Sequence, residues 1–202
     1  MAQSSTIIQN NYSYKSDAIV PSSVINFVAT GNTYQIMSTD ESRVNLTAWA
    51  PFDLIQITGS NFNNKIFTVL SVASSGTSLT VAEPVTTEIN NGGTVITLTP
   101  YGVITDQYQG AGYYNQPGGF HTVAYNVNSE TFSGSIKMQA TLEMNPTYAD
   151  WFDVENTTFT FISDGSTVNT ATSYNFIGNF VWVRAMCYNL TAGSISYILY
   201  NH

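Results

Sequence analysis

The sequence predicts an all-β protein with three parts: an N-terminal extended arm, a small β-barrel or sandwich, and a C-terminal antiparallel β-sandwich. Three observations carry that expectation. Short runs rich in Val, Ile, Thr, Phe and Tyr recur with period-two alternation. Gly, Asn and Ser clusters punctuate them at turn-like intervals. The third is the unbroken alternation of residues 179–188, which puts Val181, Val183, Ala185 and Cys187 on one face and Phe180, Trp182, Arg184, Met186 and Tyr188 on the other. With a turn ending at Gly193 and a second run over 194–200, this stretch reads as a hairpin that closes the sandwich. Its aromatic face calls for cover by a second sheet or another subunit.

Residues 1–23 are polar with scattered Ile and Tyr and no sustained period, so they read as an arm laid across a neighbouring subunit. From residue 24 to 100 the pattern is β, with runs at 24–29, 33–37, 52–59, 65–72, 78–82 and 94–99, and this stretch forms the small β domain. Gly59, the pair Asn63 and Asn64, and the pair Gly92 and Gly93 tolerate the positive φ that tight strand connections require. Residues 101–119 are rich in Gly, Tyr and Gln and lack a period, as expected of a linker; Tyr101, Tyr108, Tyr113 and Tyr114 suit it to packing at an interface. The C-terminal sandwich, 120–202, begins with a run at 121–127. The next run, 134–143, has Ile136, Met138, Ala140 and Leu142 on a dry face and Ser135, Lys137, Gln139, Thr141 and Glu143 on a wet one. A helical turn follows with Pro146 early in it, then a strand at 157–162 and the closing hairpin.

Composition limits the function. Only 9% of the 202 residues are charged, against about 25% in an ordinary domain, while the chain has 13 Tyr and 11 Phe. Hydroxyls and amides re-pair across a contact at less cost than charges do, and rigid aromatics give contact area with little entropy loss. Such a surface suits homo-oligomeric assembly. Five scattered cations, Lys15, Arg43, Lys65, Lys137 and Arg184, in a chain of net charge −8 give no basic stripe, which argues against a nucleic-acid partner. No apolar run reaches the ~18 residues of a spanning helix, so no membrane partner is expected. The N-terminus lacks the pattern of a signal peptide. A single Cys, Cys187, excludes an internal disulfide and reads as a small core residue.

Reactive chemistry lacks its parts. His121 and His202 are the only imidazoles and sit in no catalytic motif, so His121 reads as a hydrogen-bonded structural residue and no catalytic residue is assigned. The carboxylates Glu143, Asp150, Asp153 and Glu155 around Trp151 could in principle flank a glycosidic bond. Their ordinary roles are pairing with Arg184 or Lys137, or capping a turn. Residues 164–169 offer oxygens without the acidic spacing of a calcium loop, so no metal or cofactor is expected.

Two patterns resemble known proteins. Asp53, Gly59, Ser60, Asn63, Asn64, Phe67, Thr68, Val69, Leu79, Glu88, Gly92 and Gly93 match a small β domain recurrent in structural proteins of tailed bacteriophages. Gly134, Ile136, Ala140, Thr141, Leu142, Asn145, Pro146, Asp150, Trp151, Gly178, Asn179, Phe180, Trp182, Arg184, Ala185, Gly193 and Ile195 resemble a C-terminal module of tail and other virion proteins of marine T4-like phages. The resemblance implies a non-enzymatic virion structural protein, assembled in the host cytoplasm. It would join neighbouring virion subunits at a tail, fibre or baseplate position, with capsid decoration as the alternative. The interface residues expected on this reading are Phe180, Trp182, Arg184, Tyr188, Tyr113 and Tyr114. A different class of function is a carbohydrate-recognition module for host surface glycans, with Trp151 as the stacking platform.

Overall fold

Alternating runs bounded by turn residues do become strands. The computed structural model describes residues 5–40, 42–44, 46–111, 118–163, 165 and 170–201, and these are all-β. In chain order the strands are β1 (Ser5–Ser13), β2 (Val20–Ser22), β3 (Ile25–Thr30), β4 (Thr33–Ser38), β5 (Asp53–Thr58), β6 (Ile66–Val72), β7 (Ser78–Val81) and β8 (Ile96–Ile104). They continue with β9 (Tyr108–Gln109), β10 (Phe120–Val127), β11 (Ser133–Thr141), β12 (Phe152–Asp153), β13 (Phe159–Ile162), β14 (Thr170–Ile177), β15 (Trp182–Ala192) and β16 (Ser194–Asn201). No helix among the described residues is long and apolar enough to cross a membrane. The chain divides into two compact units, Lys15–Gly102 and a second that joins Met1–Tyr14 to Val103–His202.

In the Lys15–Gly102 unit the strands follow the order β8-β5-β6-β7-β4-β3, with β2 on β8. Their inward residues form one core that includes Ile25, Phe27, Ile36, Ile55, Phe67 and Leu79, all fully buried. Full burial of side chains of this size contributes about 1.5–3 kcal/mol each. The loop after β5 is held by a buried carboxylate. Glu88 accepts hydrogen bonds from the Ser60 hydroxyl at 2.5 Å, the Asn61 amide at 2.9 Å and the Asn63 side chain at 3.1 Å. The Asn63 side chain also clamps the Thr86 backbone from both sides, and Asn64 bonds back to the Ser60 amide. Asn63 and Asn64 therefore work through side-chain hydrogen bonds and not through the positive φ expected of them; Gly59 alone of the three takes it, at 84°. Burial raises the Glu88 pKa, but the bonds from Asn61, Ser60, Asn63 and Phe62 outweigh it and hold the carboxyl below the ordinary glutamate value.

A prediction follows for this loop. A carboxyl whose folded pKa is depressed stabilises fully above its unfolded pKa and loses that contribution as pH falls through the folded value. Glu88→Ala removes the acceptor and strands several buried donors, so it is expected to cost about 3 kcal/mol at neutral pH. Chemical denaturation should find the deficit shrinking in acid, below the ordinary glutamate range.

The other unit is a sandwich of two sheets. One has the strand order β1-β16-β10-β14; the other has β12-β11-β15, with β13 on β11 and both β9 and the end of β8 on β15. Residues from both sheets meet in one core, with Tyr125, Val127, Ile198 and Tyr200 from the first and Ile136, Met138, Ala185 and Cys187 from the second. The predicted dry face of β11 is buried as far as Ala140, while Leu142 lies past the strand end and is 63% exposed. Burial pushes the Cys187 thiol well above its ordinary pKa, as befits an inert core residue.

Three expectations are corrected here. The N-terminal arm is not an arm on a neighbour: β1 pairs antiparallel with β16 along its length and puts Ile8 in the core. A register shift between Ile7 and Gln9 and a φ of 47° at Asn11 break the two-residue period, so the strand does not read as one. The linker expected at 101–119 is in part strand where described, because β8 runs on to Ile104 and Tyr108 and Gln109 pair with Val183 and Trp182. The closing hairpin is not a hairpin. β15 pairs with β11 while β16 pairs with β1 and β10, so the chain crosses from one sheet to the other at Gly193. Gly193 has a φ of 78°, and a Cβ there would run into the backbone of Thr131 and Phe132.

Candidate functional site

The candidate site is the outer face of the β11-β15 sheet, opposite its core side. The period-two rule puts Lys137 and Gln139 of β11 beside Arg184, Met186 and Tyr188 of β15, since Lys137 pairs with Met186 and Gln139 with Arg184. Asp153 of β12 joins them because it pairs with Gln139. The side chains form a continuous row. The Lys137 ammonium lies 4.6 Å from the Tyr188 ring centre and donates to Asp153 at 2.6 Å. Asp153 also accepts from Gln139 at 3.0 Å, and Gln139 accepts from Arg184 Nε at 3.0 Å. The Arg184 guanidinium in turn lies 4.0 Å from the centre of the Trp151 ring. An aromatic ring thus stands at each end of a row of hydrogen-bonding groups.

Electrostatics hold the row in one arrangement. Burial raises the Asp153 pKa, but the hydrogen bonds from Lys137 and Gln139 together with the Lys137 charge outweigh it and leave the carboxyl below the ordinary aspartate value. The carboxylate therefore stays ionised and keeps both partners at neutral pH. Trp151 is placed by the turn before it. Thr147 caps the 3-10 turn Tyr148–Asp150, and the Asp150 carboxylate bonds back to the Thr147 amide and hydroxyl, both at 2.6 Å. Trp182 is fixed nearby by its indole N–H, which donates to the Met144 carbonyl at 3.0 Å.

Of the residues expected at an interface, Trp182, Arg184 and Tyr188 share this outer face, and Trp151, expected as a glycan platform, joins them through Arg184. Phe180 does not. It precedes β15 and packs toward the core against Phe176, Phe152 and His121. Alternation fails to extend to it because β15 begins at Trp182. Tyr113, Tyr114 and His202 lie outside the described residues, as does most of 164–169. Among the described residues no cluster of three or more His, Cys, Asp or Glu is placed to hold a metal.

The acidic cluster around Trp151 is dispersed into separate tasks: Asp150 caps a turn, Asp153 pairs with Lys137, and Glu143 and Glu155 are exposed. His121 is 1% exposed and stacked on Phe176 at 4.7 Å. Its Nε2 faces the Gly178 carbonyl at 3.0 Å, which can only accept, so that nitrogen carries the proton. Its Nδ1 meets the Tyr200 hydroxyl at 2.6 Å. His121→Phe keeps the stacking and loses both bonds, so it is expected to lower stability by about 2 kcal/mol in denaturant titrations.

No family model and no curated protein matches the chain. Solved structures with some likeness include a family 29 carbohydrate-binding module from Piromyces equi, at 10% identity and TM-score 0.35 over 99% of this chain and 91% of that one. The cleaved adhesin domain K1 of Lys-gingipain from Porphyromonas gingivalis has 8% identity and TM-score 0.33 over 100% and 95% of the two chains. An isomalto-dextranase from Arthrobacter globiformis complexed with panose has 10% identity and TM-score 0.24 over 84% and 35%. At these scores none of the likenesses bears on what this chain does.

Proposed function

We propose that this protein is a non-catalytic binding module that takes a glycan on the outer face of the β11-β15 sheet. The observation that carries the reading is the row Trp151, Arg184, Gln139, Asp153, Lys137 and Tyr188, in which two rings bracket fixed donors and acceptors. A pyranose has apolar C–H patches that stack on aromatic rings and hydroxyls that exchange hydrogen bonds with planar or charged side chains. Arg184 and Tyr188, four residues apart on β15, are about 13 Å apart along the strand, the span of a short oligosaccharide. Because the row is already bonded together, little side-chain freedom is lost on binding. Screening the purified chain against immobilised glycans, with Trp151→Ala and Tyr188→Ala alongside, tests the reading. Specific binding lost in both variants supports it, and no binding to any glycan contradicts it.

Subunit joining within a virion is the second reading. It is favoured by the cross-strand pair Phe120 and Ile177, 59% and 65% exposed, on a protein with only 9% charged residues. The expected arm no longer supports it, since β1 is built into its own sheet. Sedimentation at increasing concentration distinguishes the two: concentration-dependent oligomers without glycan binding favour joining.

A further inference from the structure

Among the described residues β14 is an edge strand without the usual protection. It pairs with β10 over all eight of its residues with no register shift, and no described strand pairs with its other edge. Its sequence, Thr-Ala-Thr-Ser-Tyr-Asn-Phe-Ile, has no charge, no Pro and no Gly. Edge strands are normally blunted by charges, Pro or bulges. β1, at the opposite edge of the same sheet, does carry a bulge.

Beside the end of β14 lies a groove of about 560 Å³. Phe152, Phe176 and Phe180 line it, with the Phe180 ring 5.9 Å from Phe152 and 6.3 Å from Phe176. Asn156, Asn175, Asp153 and Glu155 supply its polar lining, and no Lys or Arg is among the lining residues. Asp153 is paired with Lys137, whereas Glu155 forms no ion pair among the described residues.

The geometry points to a second binding site, in which an extended peptide adds to the free edge of β14 and sets an apolar side chain into the Phe152, Phe176 and Phe180 groove, with a Lys or Arg beside it meeting Glu155. Strand addition satisfies the backbone of β14, and alternate side chains of the added strand point to the face that carries Phe176, a lining residue of the groove. Glu155, the lining carboxylate outside any described ion pair, in a chain of net charge −8, selects a cationic peptide. A second copy of this chain fits less well, because neither of its own edge strands in this sheet, β1 or β14, carries a cation. The proposal does not rest on the glycan reading, although the groove and the row share Asp153.

The test is hydrogen exchange on the full chain with the synthetic nonapeptide Thr-Val-Lys-Thr-Phe-Thr-Lys-Val-Thr as probe, whose Lys residues flank its Phe on one face of the strand. The expected result is exchange slowed about tenfold or more across β14 and unchanged in β1. Binding should weaken about fivefold in Glu155→Lys, and at least as much when the probe's Lys residues become Glu or its Phe becomes Ser. The proposal is overturned if β14 exchange is unaffected at millimolar probe or if the altered probes protect equally. It also falls if an oligosaccharide gives the same protection, or if β14 becomes protected with rising protein concentration and no peptide.

Discussion

Gly193→Val is expected to prevent the C-terminal unit from folding. At a φ of 78° any other residue is strained by about 1–2 kcal/mol, and a side chain would also press on the Thr131 and Phe132 backbone. That backbone has no flexible end to move aside. The position also fixes the first strand of the sandwich, since the Tyr14 amide donates to the Gly193 carbonyl at 2.9 Å. The combined cost should exceed about 4 kcal/mol, a large part of the 5–15 kcal/mol by which domains are stable. Near-ultraviolet circular dichroism should find the sandwich tyrosines in a solvent-like environment, and Gly193→Ala should fold only at low temperature. A valine variant that melts like the parent would mean that the crossing between sheets is not built as described.

The second large effect is on binding. Trp151→Ala is expected to weaken glycan affinity by tenfold or more, about 1.4 kcal/mol or beyond, while changing the melting temperature little. Trp151 lies outside the core cluster, so its loss leaves the packing intact. Arg184→Lys should fall between, since an ammonium keeps the charge but cannot lie flat on the indole and hold Gln139 with the same plane. A drop in stability matching the drop in affinity would mean that the row is a structural ladder and not a site.

Much of the strand content was legible because local alternation survives wherever one face is buried. Val183, Ala185 and Cys187 are all fully buried, and the residues between them are not. What local pattern cannot encode is which strand pairs with which. β15 and β16 look like a hairpin because a single Gly separates them, yet the contact that turns the chain is with Thr131 and Phe132, some sixty residues earlier. β14 does not read as a strand in the sequence because its exposed outer face carries Ala171, Ser173 and Asn175 where a buried strand would carry larger aliphatics. The site shows the same limit. Lys137 and Gln139 are legible as a wet face, but that Gln139 meets Arg184 depends on the β11-β15 register. The sequence offers Trp151 only as a ring; that Arg184 lies over it follows from the capped turn at Thr147.

The three tryptophans give the most direct test of the glycan reading. Trp49 is buried in the Lys15–Gly102 unit, whereas Trp151 and Trp182 stand at the outer face of the sandwich. Titrating the best glycan from the array while following the three indole N–H resonances should move that of Trp151 in proportion to saturation and leave that of Trp49 in place. A glycan that binds with the Trp151 resonance unmoved would place recognition elsewhere and contradict the account.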